Sequence, residues 1–148
     1  MCHGIAGTGK TYVSIYKALQ DVLRRGLPYN KLIIINPTVD VGNEDKLGYL
    51  PGELQQKIQQ YNESTFTILN KIIGKARANK MITDGKIEIG VLNFLRGTNL
   101  ENCYVILDEA QNVSPMQIKT LMTRISENCK MIIQGDMSQC DKYKANGI

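Results

Sequence analysis

No stretch of this 148-residue chain stays apolar for long. The longest runs, Leu32 to Ile35 and Tyr104 to Leu107, are strand-sized and fall far short of the roughly 20 residues that cross a bilayer. No signal-peptide pattern opens the sequence either, so a cytoplasmic setting without a membrane partner is expected. Cysteine is sparse, and Cys2, Cys103, Cys129 and Cys140 show neither C-x-x-C spacing nor a histidine nearby. That pattern indicates neither a zinc site nor a disulfide framework; reduced, structural thiols are expected. Histidine is scarcer still: the single His3 stands beside a glycine-rich stretch, where only proximity speaks for acid–base work and an incidental packing role is the stronger reading. Low-complexity tracts and internal repeats are absent, which argues against disorder. A hydrophobic content of 43% with 22% charged residues is ordinary for a globular chain, and the length allows one domain with a substantial core rather than two. A single domain over residues 1–148 is expected. The net charge of +4 hints at polyanionic partners and no more.

What the sequence does have is Gly4-Ile5-Ala6-Gly7-Thr8-Gly9-Lys10-Thr11, a full match to the phosphate-binding loop pattern G-x-x-x-x-G-K-[ST]. Glycines at 4, 7 and 9 let the backbone take positive φ and approach a ligand closely, so that successive N–H groups can point at phosphate oxygens. Lys10 can reach the terminal phosphates, Thr11 can offer its hydroxyl to Mg2+, and the helix that starts here turns its positive end to the same place. Gly4 to Thr11, with Tyr12 directly after them, are the candidate nucleotide-binding residues.

The pattern downstream is that of a parallel α/β sheet. Only Met1, Cys2 and His3 precede the loop, so the strand that normally feeds it is expected to be missing or truncated and the chain to be a piece of a longer protein. Ile15, Ala18, Leu19, Val22 and Leu23 recur at helical spacing, with Arg24, Arg25 and Gly26 as a basic last turn and a stop. Leu32 to Ile35 reads as a strand covered on both faces, and strand, helix, strand implies parallel pairing. Thr38 to Pro51 reads as a loop. Leu54, Ile58 and Tyr61 suggest a short helix, and Phe66, Leu69, Ile73 and Ala76 a second one with Ser64 as N-cap. Lys71, Lys75, Arg77 and Lys80 have no acidic residue among them, which suits a nucleic-acid face and a solvated basic face about equally.

Asp84-Gly85 marks a turn, and Lys86 to Val91 alternates like a half-exposed strand. Leu92 to Arg96 follows, then a polar turn at Gly97 to Asn99. Tyr104 to Leu107 is the second buried strand, with Asp108-Glu109 at its carboxyl end. Ser114, Pro115 and Gln117 form a capping-box start for a helix with Ile118, Leu121, Met122 and Ile125 inward, and Met131 to Ile133 is the next strand, ending at Gly135-Asp136.

A strand that delivers an aspartate at its tip is the usual second half of a phosphate-loop site, because a carboxylate there can hold Mg2+. Asp108 takes that role beside Thr11. Glu109 is placed to orient or deprotonate a water for attack on the terminal phosphate. Gln139 could set an amide against that phosphate or the water. Arg96 and Arg124 are candidates for stabilising transition-state charge, though a surface ion pair explains each as well.

At this point the motifs converge. The loop GIAGTGKT, LGYLPGEL from Leu47 to Leu54, FLRGTNLENCYVILDEAQN from Phe94 to Asn112, TRI from Thr123 and GDMSQCD from Gly135 together resemble the PhoH-like family of P-loop ATPases, which are similar to the core of superfamily 1 helicases. The resemblance implies a RecA-like, three-layer α/β/α fold, ATP with Mg2+, and motif roles for Gly4 to Thr11, Asp108, Glu109, Gln111 and Gln139. Ile5 stands where the family more commonly has proline, a departure that leaves the glycine and lysine geometry intact. Such proteins occur in bacteria and phages and are described as phosphate-starvation-inducible; relatives fused to a nuclease domain act on RNA, but no such domain is in this sequence. The family would continue its sheet beyond Ile148 and supply an arginine there. The expected activity is ATP hydrolysis, with Lys10, Glu109 and Gln139 as catalytic residues, coupled to RNA or single-stranded nucleic acid. A slow nucleotide-dependent switch that assembles as a homo-oligomer is the second reading, and a small-molecule kinase the third.

Overall fold

Two short apolar runs in a parallel register set the centre of the molecule. The structure, a computed structural model, describes residues 2–5, 7–37, 51–91 and 99–136. Its strands are β1 (Cys2–His3), β2 (Lys31–Asn36), β3 (Ile87–Val91), β4 (Cys103–Leu107) and β5 (Lys130–Gly135). They pair in the order β1-β5-β4-β2-β3, every pair parallel. Side chains alternate across a strand, so a strand buried on both faces feeds two cores. Leu32 and Ile34 of β2 and Tyr104 and Ile106 of β4 enter one cluster, whereas Ile33, Ile35, Val105 and Leu107 enter the other.

The first cluster is covered by α1 (Lys10–Leu23), α2 (Pro51–Ile73) and α3 (Lys75–Thr83), through Ile15, Ala18, Leu19, Leu69, Ala78 and Met81. The second is covered by a 3-10 turn (Ala110–Asn112) and α4 (Pro115–Met122), with Val113 and Leu121 buried. Helices on both faces of a parallel sheet give the α/β RecA-like, three-layer architecture that the sequence implied.

The strand before the loop agrees with the second of the two expected outcomes, being short rather than missing: it is the two residues of β1, which pair with β5 through Cys2 with Gln134 and His3 with Gly135. Several boundaries differ from expectation for local reasons. Instead of two helices meeting at Ser64, α2 runs unbroken through it; the break comes at Gly74, whose φ of 82° no helix accommodates. Pro51 opens α2 rather than closing a loop, as a proline at the first helical position can. Helix α1 ends at Leu23, so Arg24 and Arg25 lie beyond it and Gly26, at φ 89°, reverses the chain. The capping box at Ser114 and Gln117 is formed in both directions. Met122 is nevertheless exposed, and Ile125 lies past the helix, bridging to Leu100. Residues 38–50 and 92–98, with the expected loop and turn there, lie outside the described residues.

At the amino edge of the sheet, α1 is tied to β5 by charge. Asp21 accepts from Lys17 at 3.0 Å and from Lys130 at 3.3 Å, and Lys130 also sits 5.3 Å over the Tyr104 ring. Burial pushes the Asp21 carboxyl up, but the hydrogen bonds and charges of Lys17 and Lys130 outweigh it and hold the group below its ordinary value of 3.8. A depressed carboxylate contributes stability above its unfolded value and loses it as pH falls through the folded one. Asp21→Asn is therefore expected to lower stability by about 1 kcal/mol at neutral pH. In urea denaturation the gap from wild type should close at acidic pH, below the ordinary carboxylate value; a constant gap would contradict the pairing.

Candidate functional site

The carboxyl ends of β1, β4 and β5 meet the amino end of α1, the place where open parallel sheets bind ligands. The loop between β1 and α1 is folded on itself. Gly7 and Gly9 take φ of 77° and 79°, the left-handed region that a side chain would strain. Gly4 does not take positive φ, contrary to expectation, and a Cβ there would make only ordinary contacts with Thr8 and Lys10. Thr8 Oγ1 donates to the Ile5 carbonyl at 2.9 Å, and Lys10 Nζ donates to the carbonyls of Gly4 and Ile5 at 2.6 and 2.8 Å.

Helix α1 begins at Gly9 without a side-chain cap and with no acidic residue in its first turn. A helix amino end of this kind, with no carboxylate of its own, favours an anion. Tyr12 follows in the same turn at 41% exposure, and Ile5 is exposed on the loop.

Asp108 reaches the loop from β4. Its backbone N–H donates to the Ile35 carbonyl of β2 at 2.9 Å, which extends the ladder one residue past the strand and fixes where the carboxyl projects. Only 5% exposed, that carboxyl accepts three hydrogen bonds. Thr11 Oγ1 donates to Oδ2 at 3.0 Å, the Glu109 N–H donates to Oδ1 at 2.9 Å, and Gln134 Nε2 donates to Oδ1 at 2.6 Å. Buried charge needs such donors. The oxygens that Asp108 and Thr11 bring together are a carboxylate and a hydroxyl, both hard donors, a set that would fit Mg2+ sharing its shell with phosphates and water. No cluster of three or more His, Cys, Asp or Glu side chains that could hold a metal ion occurs among the described residues.

Glu109 sits in the left-handed region at φ 49°, which is unusual for glutamate and marks a residue held by its surroundings. Its N–H donates to Asp108 Oδ1 and its carbonyl accepts the Asn112 N–H, while Gln111 holds its side chain. Gln111 Nε2 donates to Glu109 Oε2, while Gln111 Oε1 accepts the Asp136 N–H at 3.0 Å, so the amide spans from the turn after β4 to the end of β5. Gly135 makes room for it: a Cβ there would stand 2.7 Å from Gln111 Oε1 and 3.3 Å from two backbone nitrogens of the turn.

Of the residues singled out in the sequence, Lys10, Thr11, Asp108, Glu109 and Gln111 gather at this edge. Ala6, Arg96 and Gln139 lie outside the described residues. Arg124 does not join them. Its carbonyl accepts from the Leu100 N–H, ahead of β4, which puts its backbone at the amino edge, with the whole of β4, roughly 16 Å long, between that edge and Asp108. His3 lies in β1. The free thiols of Cys103 and Cys129, Sγ to Sγ 3.5 Å, also belong to the amino edge, and burial pushes Cys103 up to about 12, as befits an inert structural thiol. Beside it a cleft lined by Lys31, Glu88 and Glu101 opens away from the loop.

Sequence reasoning missed Gln134 and Ser14. Gln134 is fully buried in β5, between the loop strand and the strand of Asp108, and its Oε1 accepts from Ser14 Oγ at 2.6 Å. A glutamine inside the strand pattern Met131-Ile132-Ile133 was the available signal, since a polar side chain in a buried strand needs partners.

A family model described as PhoH-like protein matches residues 1–148. The PhoH-like protein of Bacillus subtilis (strain 168) is 42% identical over 141 residues, covering 95% of this chain and 43% of its own length. That of Synechocystis sp. is 39% identical over 149 residues, covering 99% and 44%. Protein PhoH of Escherichia coli (strain K12) is 35% identical over 140 residues, covering 93% and 38%. The chain thus spans less than half the length of each of these relatives.

Gly135→Ala tests the packing of the site. The added methyl is expected to force Gln111 aside and to destabilise the fold by about 1–3 kcal/mol, as overpacking does. Chemical denaturation would measure it, and wild-type stability would show that the turn yields without cost.

Proposed function

Because the chain belongs to the PhoH-like family, we propose that it binds ATP at the loop and hydrolyses it with Mg2+, in the service of RNA or single-stranded nucleic-acid remodelling. The observation that carries this reading is the 3.0 Å hydrogen bond from Thr11 to Asp108, residues 97 apart in sequence. It brings the phosphate loop and the tip of a distant strand to one point. An isolated glycine turn or an isolated acidic helix start would not need such a meeting.

In this reading the amides from Gly7 to Thr11 and the start of α1 receive the phosphates. Lys10 gives up the Gly4 and Ile5 carbonyls for the terminal phosphate, a better partner for an ammonium than a neutral oxygen. Thr11 and Asp108 hold the cation, which when bound neutralises charge on the phosphates. Glu109 takes a proton from the attacking water as the bond to the leaving ADP breaks. Gln111 occupies Oε2, so Oε1 is the oxygen that meets the water. Gln139 is assigned to the terminal phosphate.

For the nucleic acid the support is a surface. Lys71, Lys75, Arg77 and Lys80 are exposed along the end of α2 and α3. The place of Arg124 at the opposite edge favours a second reading, a slow switch that gains its arginine from elsewhere, a neighbouring subunit included.

ATP turnover with and without RNA separates the two readings, acceleration by RNA favouring the first and turnover only on oligomerisation the second. Glu109→Gln is expected to bind nucleotide as wild type does and to lose turnover by at least about 100-fold. Turnover that survives removes Glu109 from its role. Lys10→Ala should abolish nucleotide binding in a calorimetric titration, and unchanged affinity would count against the loop as the phosphate site.

A further inference from the structure

Gln134 joins every member of the cation site. Its amide has only one sensible orientation: a carboxylate can only accept, so the NH2 group faces Asp108 and the carbonyl oxygen is left to the Ser14 hydroxyl. The same Nε2 donates its second proton to Thr11 Oγ1 at 3.1 Å. Thr11, Asp108 and Gln134 therefore close a ring of hydrogen bonds, anchored on α1 by Ser14.

The consequence lies in the hydroxyl. A threonine oxygen has one proton and two lone pairs. Here the proton goes to Asp108 Oδ2, and one lone pair receives Gln134 Nε2. One lone pair is left, and it cannot swing without breaking two bonds. Asp108 is held in the same way, because Gln134 and the Glu109 N–H both fix Oδ1 and leave Oδ2 turned to Thr11. The amide is also neutral, so the ring carries the single negative charge of Asp108. A carboxylate at position 134 would repel Asp108, and an apolar side chain would release the hydroxyl.

We propose that Gln134 is the positioning residue of the cation site, with Ser14 as its anchor: it presets the Thr11 hydroxyl and the Asp108 carboxylate so that the metal meets two oxygens already aimed. This rests on the reading that Thr11 and Asp108 hold Mg2+. Gln134 touches neither the nucleotide nor the reacting atoms. It acts as outer partners of metal ligands act, by orientation, and their removal weakens metal affinity by about 10- to 100-fold.

The test is a calorimetric titration of a non-hydrolysable ATP analogue, once with Mg2+ and once with a chelator. Gln134→Met preserves the length of the side chain and removes the amide. It is expected to reduce the gain in affinity due to Mg2+ by about 10- to 100-fold. Affinity without metal should stay within about twofold, since Lys10 and the loop amides remain. Ser14→Ala should move in the same direction by less, and it carries the test if thermal unfolding shows that Gln134→Met does not fold. Equal losses with and without Mg2+ would make Gln134 a packing residue and overturn the proposal; so would an unchanged Mg2+ gain in the variants. A wild-type chain whose affinity ignores Mg2+ would refute the metal reading itself, a failure visible before any variant is made, and the proposal with it.

Discussion

A carboxylate almost closed to water has to be paid in hydrogen bonds, and Asp108 receives three of them from three directions. Left without donors, a buried charge would be too unfavourable to keep. Thr11 brings the start of α1, Gln134 brings β5, and the Glu109 N–H brings the chain that leaves β4. The burial of this one group therefore requires the loop helix, the central strand and its neighbour to be docked together.

The sheet separates two kinds of chemistry. At its carboxyl edge the polar groups are arranged around the phosphate loop. At its amino edge they serve the fold: Lys31 pairs with Glu88 across β2 and β3, Asp21 joins Lys17 and Lys130, and Cys103 rests against Cys129. Helix α1 spans the two edges along β5, with Ser14 on Gln134 near the loop and Asp21 on Lys130 two turns later. A strut fixed at both ends cannot slide, so the loop at its head is held against the tip of β4.

The end of β5 reaches both acidic residues. Gln134 holds Asp108 directly, and two residues on the Asp136 N–H holds Gln111, which holds Glu109. Gly135, between them, is the residue whose missing Cβ lets the turn after β4 come close enough. The left-handed backbone of Glu109 fits this picture: strain of that kind persists where the surroundings over-determine a conformation. A shift of a single strand end would therefore be felt by both carboxylates together.

Much of this was legible in residue order. Glycine spacing before Lys10 and Thr11 announces the loop because positive φ is a local demand. The apolar runs of β2 and β4 announce a parallel sheet because both faces must be covered, and Ser114 with Gln117 announces a helix start because the cap closes within four residues. Tertiary structure alone decided the rest. That Gln134 would meet Thr11 and Ser14, that Glu109 would be left-handed, that Arg124 would fall at the far edge and that α2 would run past Ser64 all depend on strand register and on which faces become buried. Those are contacts between residues tens of positions apart, and no local pattern encodes the distance between them.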